Sequence, residues 1–198
     1  SLAVLYLRAI NDFQQEVHWR DRALTLLTAA GDIAAQHKEH RLLSYALGYK
    51  GQILLEAGEY DAALPLLQAA TFYANDSLAY ESAYLWEWQL ARASAQSGQI
   101  VEAIQQYYRA IQTLEPVRQS LIDGSPFTFH QKIQPLFTEL SSLLLDNAAQ
   151  SGGDAQQSYL QQVQVVLEQA KSAELQDYFQ NDCVIPDKTL ELNNIEPA

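Results

Sequence analysis

The sequence predicts an all-α protein: a right-handed superhelical stack of antiparallel helix pairs. Three observations carry this. Ala23, Ala63 and Ala103 stand forty residues apart, and Leu24, Leu64 and Ile104, then Leu27, Leu67 and Tyr107, then Ala30, Ala70 and Ala110 keep the same step. A recurrence of that length marks stacked helical units that bury their faces on one another. Prolines and glycines are scarce, six and eight, as expected of an almost wholly helical chain. Hydrophobic residues make up 48% of the chain, ample for a core, yet no apolar run approaches the ~20 residues of a membrane span.

Apolar periodicity places helices at about 2–14, 17–36, 40–57, 60–74, 77–97, 100–121, 127–150 and 155–171, with a short one near 173–180. Each break has a local cause. Gly58 and Gly98 supply a turn conformation that other residues resist, between the first and second helix of a pair. Asn75-Asp76-Ser77 and Asp123-Gly124-Ser125-Pro126 are loop chemistry. Ser151-Gly152-Gly153-Asp154 makes a turn, with Asp154 placed to cap a helix starting at Ala155. Pro186 and Pro197 bracket a tail without helical periodicity. The expected organisation is repeats of period about 40 over 1–121, a further hairpin and short helix over 122–180, and a tail over 181–198 leading to another domain.

These residues carry a resemblance. Gly51, Gly58, Tyr60, Ala63 and Ala70 follow the small-residue and aromatic spacing of a tetratricopeptide (TPR) repeat, and Ala91, Gly98, Ile100, Ala103, Tyr107 and Ala110 occupy the matching positions one repeat later. Small side chains let paired helices approach closely, and larger neighbours fill the gap. The first repeat departs, because His18 stands where the turn glycine belongs. The resemblance implies a TPR-like solenoid.

A second resemblance covers about residues 127–198. Ile133-Gln-Pro-Leu-Phe-Thr-Glu-Leu-Ser-Ser-Leu-Leu-Leu145, followed by Ala170-Lys-Ser-Ala-Glu-Leu-Gln-Asp-Tyr-Phe-Gln-Asn-Asp-Cys-Val184, is similar to the region before the caspase-like CHAT domain of bacterial TPR–CHAT proteins. It implies that a protease-like domain, with its own His and Cys, begins about where this chain stops. None of those catalytic residues falls on a position here.

Charge narrows the partners. The net charge is −12, whereas nucleic-acid binding needs clustered Lys and Arg. Residues 1–99 carry 7 basic and 11 acidic groups (net −4), residues 100–198 carry 5 and 13 (net −8), and the last 25 hold six carboxylates against Lys188. A solvated acidic tail is the plain reading, and a dock for a basic partner the alternative. The chain has no Met and opens on Ser1 before Leu2-Ala3-Val4-Leu5-Tyr6-Leu7, which reads as a segment cut or processed from a longer protein. Exposed Leu2, Val4, Leu5 and Leu7 would then mark a removed repeat, and predict some homodimerisation through this end.

Catalytic chemistry finds no support. Cys183 is the single cysteine, and Asp177, Asp182 and Asp187 around it would oppose thiolate formation. It reads as structural. His37 and His40 share the spacing of one helix face, but Lys38 and Arg41 repel a cation and no His-Glu-x-x-His pattern exists. His18 and His130 are isolated. There is no nucleophile elbow and no Gly-rich phosphate loop. No catalytic residue, metal or cofactor is expected.

The aromatic run is the better lead. Tyr80, Tyr84 and Trp88 recur at i, i+4, i+8 along one helix, while Trp86 points elsewhere. Such a stripe is either core or the lining of a concave groove, where aromatics give large contact area at low rotamer cost. Tyr45, Tyr49, Gln52 and Glu56 run along the comparable helix of the previous repeat. The expected peptide-binding residues are therefore Tyr45, Tyr49, Gln52, Glu56, Tyr84, Trp88, Arg92 and Gln96. The function expected is a non-catalytic, cytoplasmic protein–protein interaction module, which the CHAT resemblance makes a regulatory or substrate-recruiting segment. The alternative is a structural self-assembly element.

Overall fold

A computed structural model describes residues 2–118 and 131–182. Among them there are seven helices and no strand: α1 Leu2–Gln36, α2 His40–Glu56, α3 Tyr60–Asp76, α4 Tyr80–Gln96, α5 Ile100–Leu114, α6 Gln134–Gln150 and α7 Gly153–Asp182. The chain divides into two compact units, Ser1–Arg118 and Gln119–Ala198.

In the first unit, α2 through α5 start twenty residues apart and are joined by turns of one design. Lys38, Gly58, Leu78 and Gly98 each take positive φ, at 57°, 78°, 55° and 77°. In the second turn Gly58 N–H donates to Leu55 O (3.0 Å) and Glu59 N–H to Leu54 O (2.9 Å), and the other three turns repeat the pair. This is the Schellman closure, which satisfies the last carbonyls of a helix and reverses the chain. The next helix begins at once. The carbonyls of Glu39, Glu59, Ala79 and Gln99 accept from the amides of Leu43, Ala63, Ala83 and Ala103 at 2.9, 3.0, 2.9 and 2.9 Å. None of these four residues caps its helix through a side chain. The result is an antiparallel α-helical stack in which α1 packs on α2, α2 on α3 and α4, α3 on α4, and α4 on α5.

The recurring alanines are its core. Ala63, Leu67 and Ala70 on α3, with Ala103 and Ala110 on α5, are fully buried, and Tyr107 nearly so. Gly51 on α2 lets Leu67 in. A Cβ there would stand 2.7 Å from Leu67 Cγ, so the bare backbone sets how closely α2 and α3 approach. Leu54, Ala63, Leu67, Leu90 and Ala93 form one cluster from three helices, worth about 1.5–3 kcal/mol for each large side chain removed from water.

Several helix boundaries differ from expectation. Segments 2–14 and 17–36 form the single helix α1, because Gln15-Glu16 contains no breaker; His18, at the missing turn position, lies within it. The helix expected from 77 starts at Tyr80, since Ser77, Leu78 and Ala79 form the turn. α5 ends at Leu114 because Pro116 cannot continue its hydrogen bonding. α6 starts at Gln134 with Pro135 in its first turn.

In the second unit α6 buries Leu136, Phe137, Leu140, Leu144 and Ala148, α7 buries Val163, Val166 and Ala173, and the two pack together. α7 absorbs both the expected 155–171 helix and the short 173–180 one; Asp154 lies inside its first turn rather than capping it. The Asp123–Pro126 loop, His130, Cys183 and the tail with Pro186 and Pro197 lie outside the described residues. So do the side chains of Leu2, Val4, Leu5 and Leu7.

Candidate peptide-binding face

Tyr45, Tyr49, Gln52 and Glu56 fall on one face of α2, at helical steps of four, three and four. The Tyr45 and Tyr49 rings stack at 6.2 Å with 23° between planes. Both present to the indole of Trp86 on α4, edge to face, at 6.0 and 5.1 Å. Trp86 is itself buried and cannot shift, so it fixes the two tyrosines from beneath. Tyr49 stays 46% exposed and Tyr45 half-buried. Charged and polar groups surround them. Tyr45 Oη donates to Glu81 Oε1 at 3.5 Å, and Arg41 Nη2 lies 2.6 Å from the same oxygen. Gln52 Nε2 donates to Glu56 Oε1 at 2.8 Å.

The α4 side of the expected groove needs correction. Tyr84 and Trp88 are buried. They are equivalent by the forty-residue step to Ser44 and Gly48, also buried, and so stand one residue, a rotation of about 100°, from the face of Tyr45 and Tyr49. The positions that do correspond to Tyr45, Tyr49, Gln52 and Glu56 are Leu85, half-buried, Gln89, 7% exposed, and the expected Arg92 and Gln96. Burial, with Tyr45 nearby, pushes the Tyr84 phenol up to about 12, so it stays neutral and serves the core. Arg92 remains at the rim. Its guanidinium lies 4.4 Å from the Trp88 ring centroid, a cation–π contact, and its Nη1 donates to Gln89 Oε1 at 3.3 Å. Gln96 is exposed and Leu85 half-buried.

One carboxylate is misplaced for a solvated helix. Glu87 on α4 is only 5% exposed. Burial raises its pKa, while hydrogen bonds with Thr113 and Asn75 and the charge of Arg109 pull it back toward the usual range. Its Oε2 has no hydrogen-bond partner. The contacts are structural, tying α4 to α3 and α5.

No cluster of three metal-ligating side chains occurs among the described residues. His40 Nδ1 meets Asp76 Oδ2 at 2.5 Å, joining the start of α2 to the end of α3. His37 and His18 are exposed, the latter edge-on to Trp19 at 6.3 Å. A shallow cavity of about 330 Å³ at the α2–α3 turn is lined by Gly58, Glu59, Tyr60, Asp61, Ala62 and Ser97. It includes none of the aromatic residues above. No described helix is long and apolar enough to cross a membrane.

Trp86 lies off the Tyr80–Tyr84–Trp88 stripe, and its contact with Tyr45 and Tyr49 is a role that no periodicity within α4 assigns it. Adding forty to 45 and 49 leads to Leu85, half-buried, and to Gln89, buried and holding Arg92.

No protein-family model matches the chain, and no curated protein matches it. Among solved structures, the chain is similar to the nearly identical TPR-like repeats of a kinesin light chain-type protein from Podosopora anserina, at 18% sequence identity and a TM-score of 0.46. The match covers 85% of this chain and 90% of that one.

Proposed function

We propose that this protein is a non-catalytic protein–protein interaction module that holds an extended peptide along the inner face formed by α2 and α4. The observation that carries the reading is the stacked pair Tyr45 and Tyr49, seated on buried Trp86 and left open to solvent on its other side. A rigid aromatic platform loses little rotamer freedom on binding, which is what a recognition hot spot needs. Arg41 and Glu81 beside Tyr45, with Glu56 further along α2 and Arg92 on α4, offer charges of both signs. A peptide that lays an apolar or aromatic side chain on Tyr49, with polar residues either side, would complement them. Binding would proceed without chemistry.

The experiment is a peptide-display screen against the wild-type chain, followed by titration of the selected peptides against Tyr49→Ala and Arg92→Ala. Losses of tenfold or more for both variants support the groove. Equal affinity for all three proteins moves the binding surface elsewhere.

The finer reading is a regulatory or substrate-recruiting segment of a cytoplasmic CHAT peptidase. It draws on the similarity of residues 133–145 and 170–184 to the stretch before such domains. It requires a β-rich segment bearing a His and a Cys in the same polypeptide, and a parent sequence without one rejects it. A second reading, a self-assembly element, draws on the apolar residues that α1 leaves exposed.

A further inference from the structure

α1 leaves open a stripe that its repeat counterparts cover. On α3, Ala63 and Ala70 are fully buried and Leu66 and Tyr73 half-buried; on α5, Ala103 and Ala110 are fully buried and Gln106 and Thr113 half-buried. Forty residues earlier the same positions are Ala23, half-buried, Leu26, 62% exposed, Ala30, exposed, and Ile33, 58% exposed. Trp19, 62% exposed, extends the line. The positions 19, 23, 26, 30 and 33 alternate steps of four and three, the seam of a helix that pairs with another helix along its length. The neighbouring side of α1 is already occupied: Leu43 and Ala46 of α2 stand 3.8 and 3.6 Å from where a Cβ at Gly31 would lie.

We infer that this stripe is a self-association face, on which α1 of a second copy lies antiparallel. Three features select a second copy. The stripe is self-complementary in size: antiparallel pairing sets Leu26 and Ile33 of one copy over Ala30 and Ala23 of the other, and the reverse, so large side chains enter gaps left by small ones. The stripe also lacks the charge that keeps copies of this −12 protein apart. None of its five residues is acidic, nor are Arg22, Ala29 and Gln36 along its open flank, and the Arg22 guanidinium lies over the Trp19 ring at 5.9 Å. The overlap suffices for a weak, concentration-dependent pair: in this register residues 20–36 of the two α1 helices lie side by side, about 25 Å of helix that contains the whole 23–33 seam. The inference stands apart from the peptide groove, which is built on α2 and α4.

Sedimentation of the full chain across a concentration series tests it. The expected mass rises toward twice 22.2 kDa and returns to 22.2 kDa on dilution. Leu26→Glu, at an exposed position, is expected to keep its helix content and weaken association at least tenfold, as is Leu26→Arg. Mixing the two in equal amounts restores the dimer, because opposite charges then meet across the seam. Ile33→Glu repeats the measurement if Leu26→Glu loses helix content. A mass of 22.2 kDa at every concentration, a dimer that survives the Glu substitutions, or a mixture that stays monomeric overturns the inference and leaves the stripe to a helix of another protein.

Discussion

The Trp86 indole rests on the bare Cα of Gly48. A Cβ at position 48 would come within 2.4 Å of Trp86 Cδ2 and Cε2, closer than any real contact. Because Trp86 is fully enclosed, its ring has nowhere to retreat. Gly48→Ala gains about 1 kcal/mol of helix propensity but forces α2 and α4 apart, and overpacking costs roughly 1–3 kcal/mol or more. The expected outcome is net destabilisation in urea unfolding. Trp86→Leu in the Gly48→Ala background should cost less than Trp86→Leu alone, since the clash goes with the ring. Additive losses would show that the two residues do not act as a pair.

Leu78 takes φ of 55° in the α3–α4 turn with its side chain 68% exposed. A left-handed backbone costs a residue with a Cβ roughly 1–2 kcal/mol, and this leucine buries little in return. Leu78→Gly removes that strain but loosens the unfolded chain by about 0.4–1 kcal/mol, so a gain of up to ~1.5 kcal/mol is expected, visible as a higher Tm. Gly98→Ala is the mirror experiment. A Cβ there meets nothing within 4 Å, so any loss is purely conformational, about 1 kcal/mol.

How much of this was legible depends on the kind of signal. The alanines at 63, 70, 103 and 110 named the buried face, because small residues are what close helix approach selects. Gly58 and Gly98 named two turns. Lys38 and Leu78, their equivalents, carry no such signature, since the Schellman bonds impose the same backbone on a residue ill suited to it. The fusion of α1 was readable in principle, as nothing between Gln14 and Val17 stops a helix. The groove register was lost to counting from aromatic residues instead of from the repeat: Tyr84 and Trp88 drew attention by size, while the forty-residue step led to Leu85 and Gln89. Trp86 on Gly48 is a pairing across two helices, and no periodicity within either helix announces it.

That register predicts a split between two aromatic truncations. Trp88→Ala empties a buried site and is expected to cost about 3–5 kcal/mol of stability. Tyr49→Ala removes a half-open ring and should cost far less stability while weakening peptide binding tenfold or more. Circular dichroism melting of both variants beside the binding titration separates them. A Trp88→Ala protein as stable as wild type would place that indole outside the core.

Glu87 links stability to pH. Burial raises its pKa above the ordinary 4.5, so the folded chain holds this proton more tightly than the unfolded chain does. The stability it contributes is fully present below 4.5 and is lost as pH rises through the higher folded value. Once pH has risen above that folded value, the carboxylate is ionised at a buried position with Oε2 unpaired, a cost that Thr113, Asn75 and Arg109 offset in part. Glu87→Gln keeps the shape, can still hydrogen-bond to Thr113 and Asn75, and carries no charge. Its Tm is expected to exceed that of wild type at pH 7 by the equivalent of about 1 kcal/mol, with the gap closing as pH falls toward 4.5. A gap that widens toward acid would mean that the ionised form is the one the fold prefers, and that Arg109 outweighs burial.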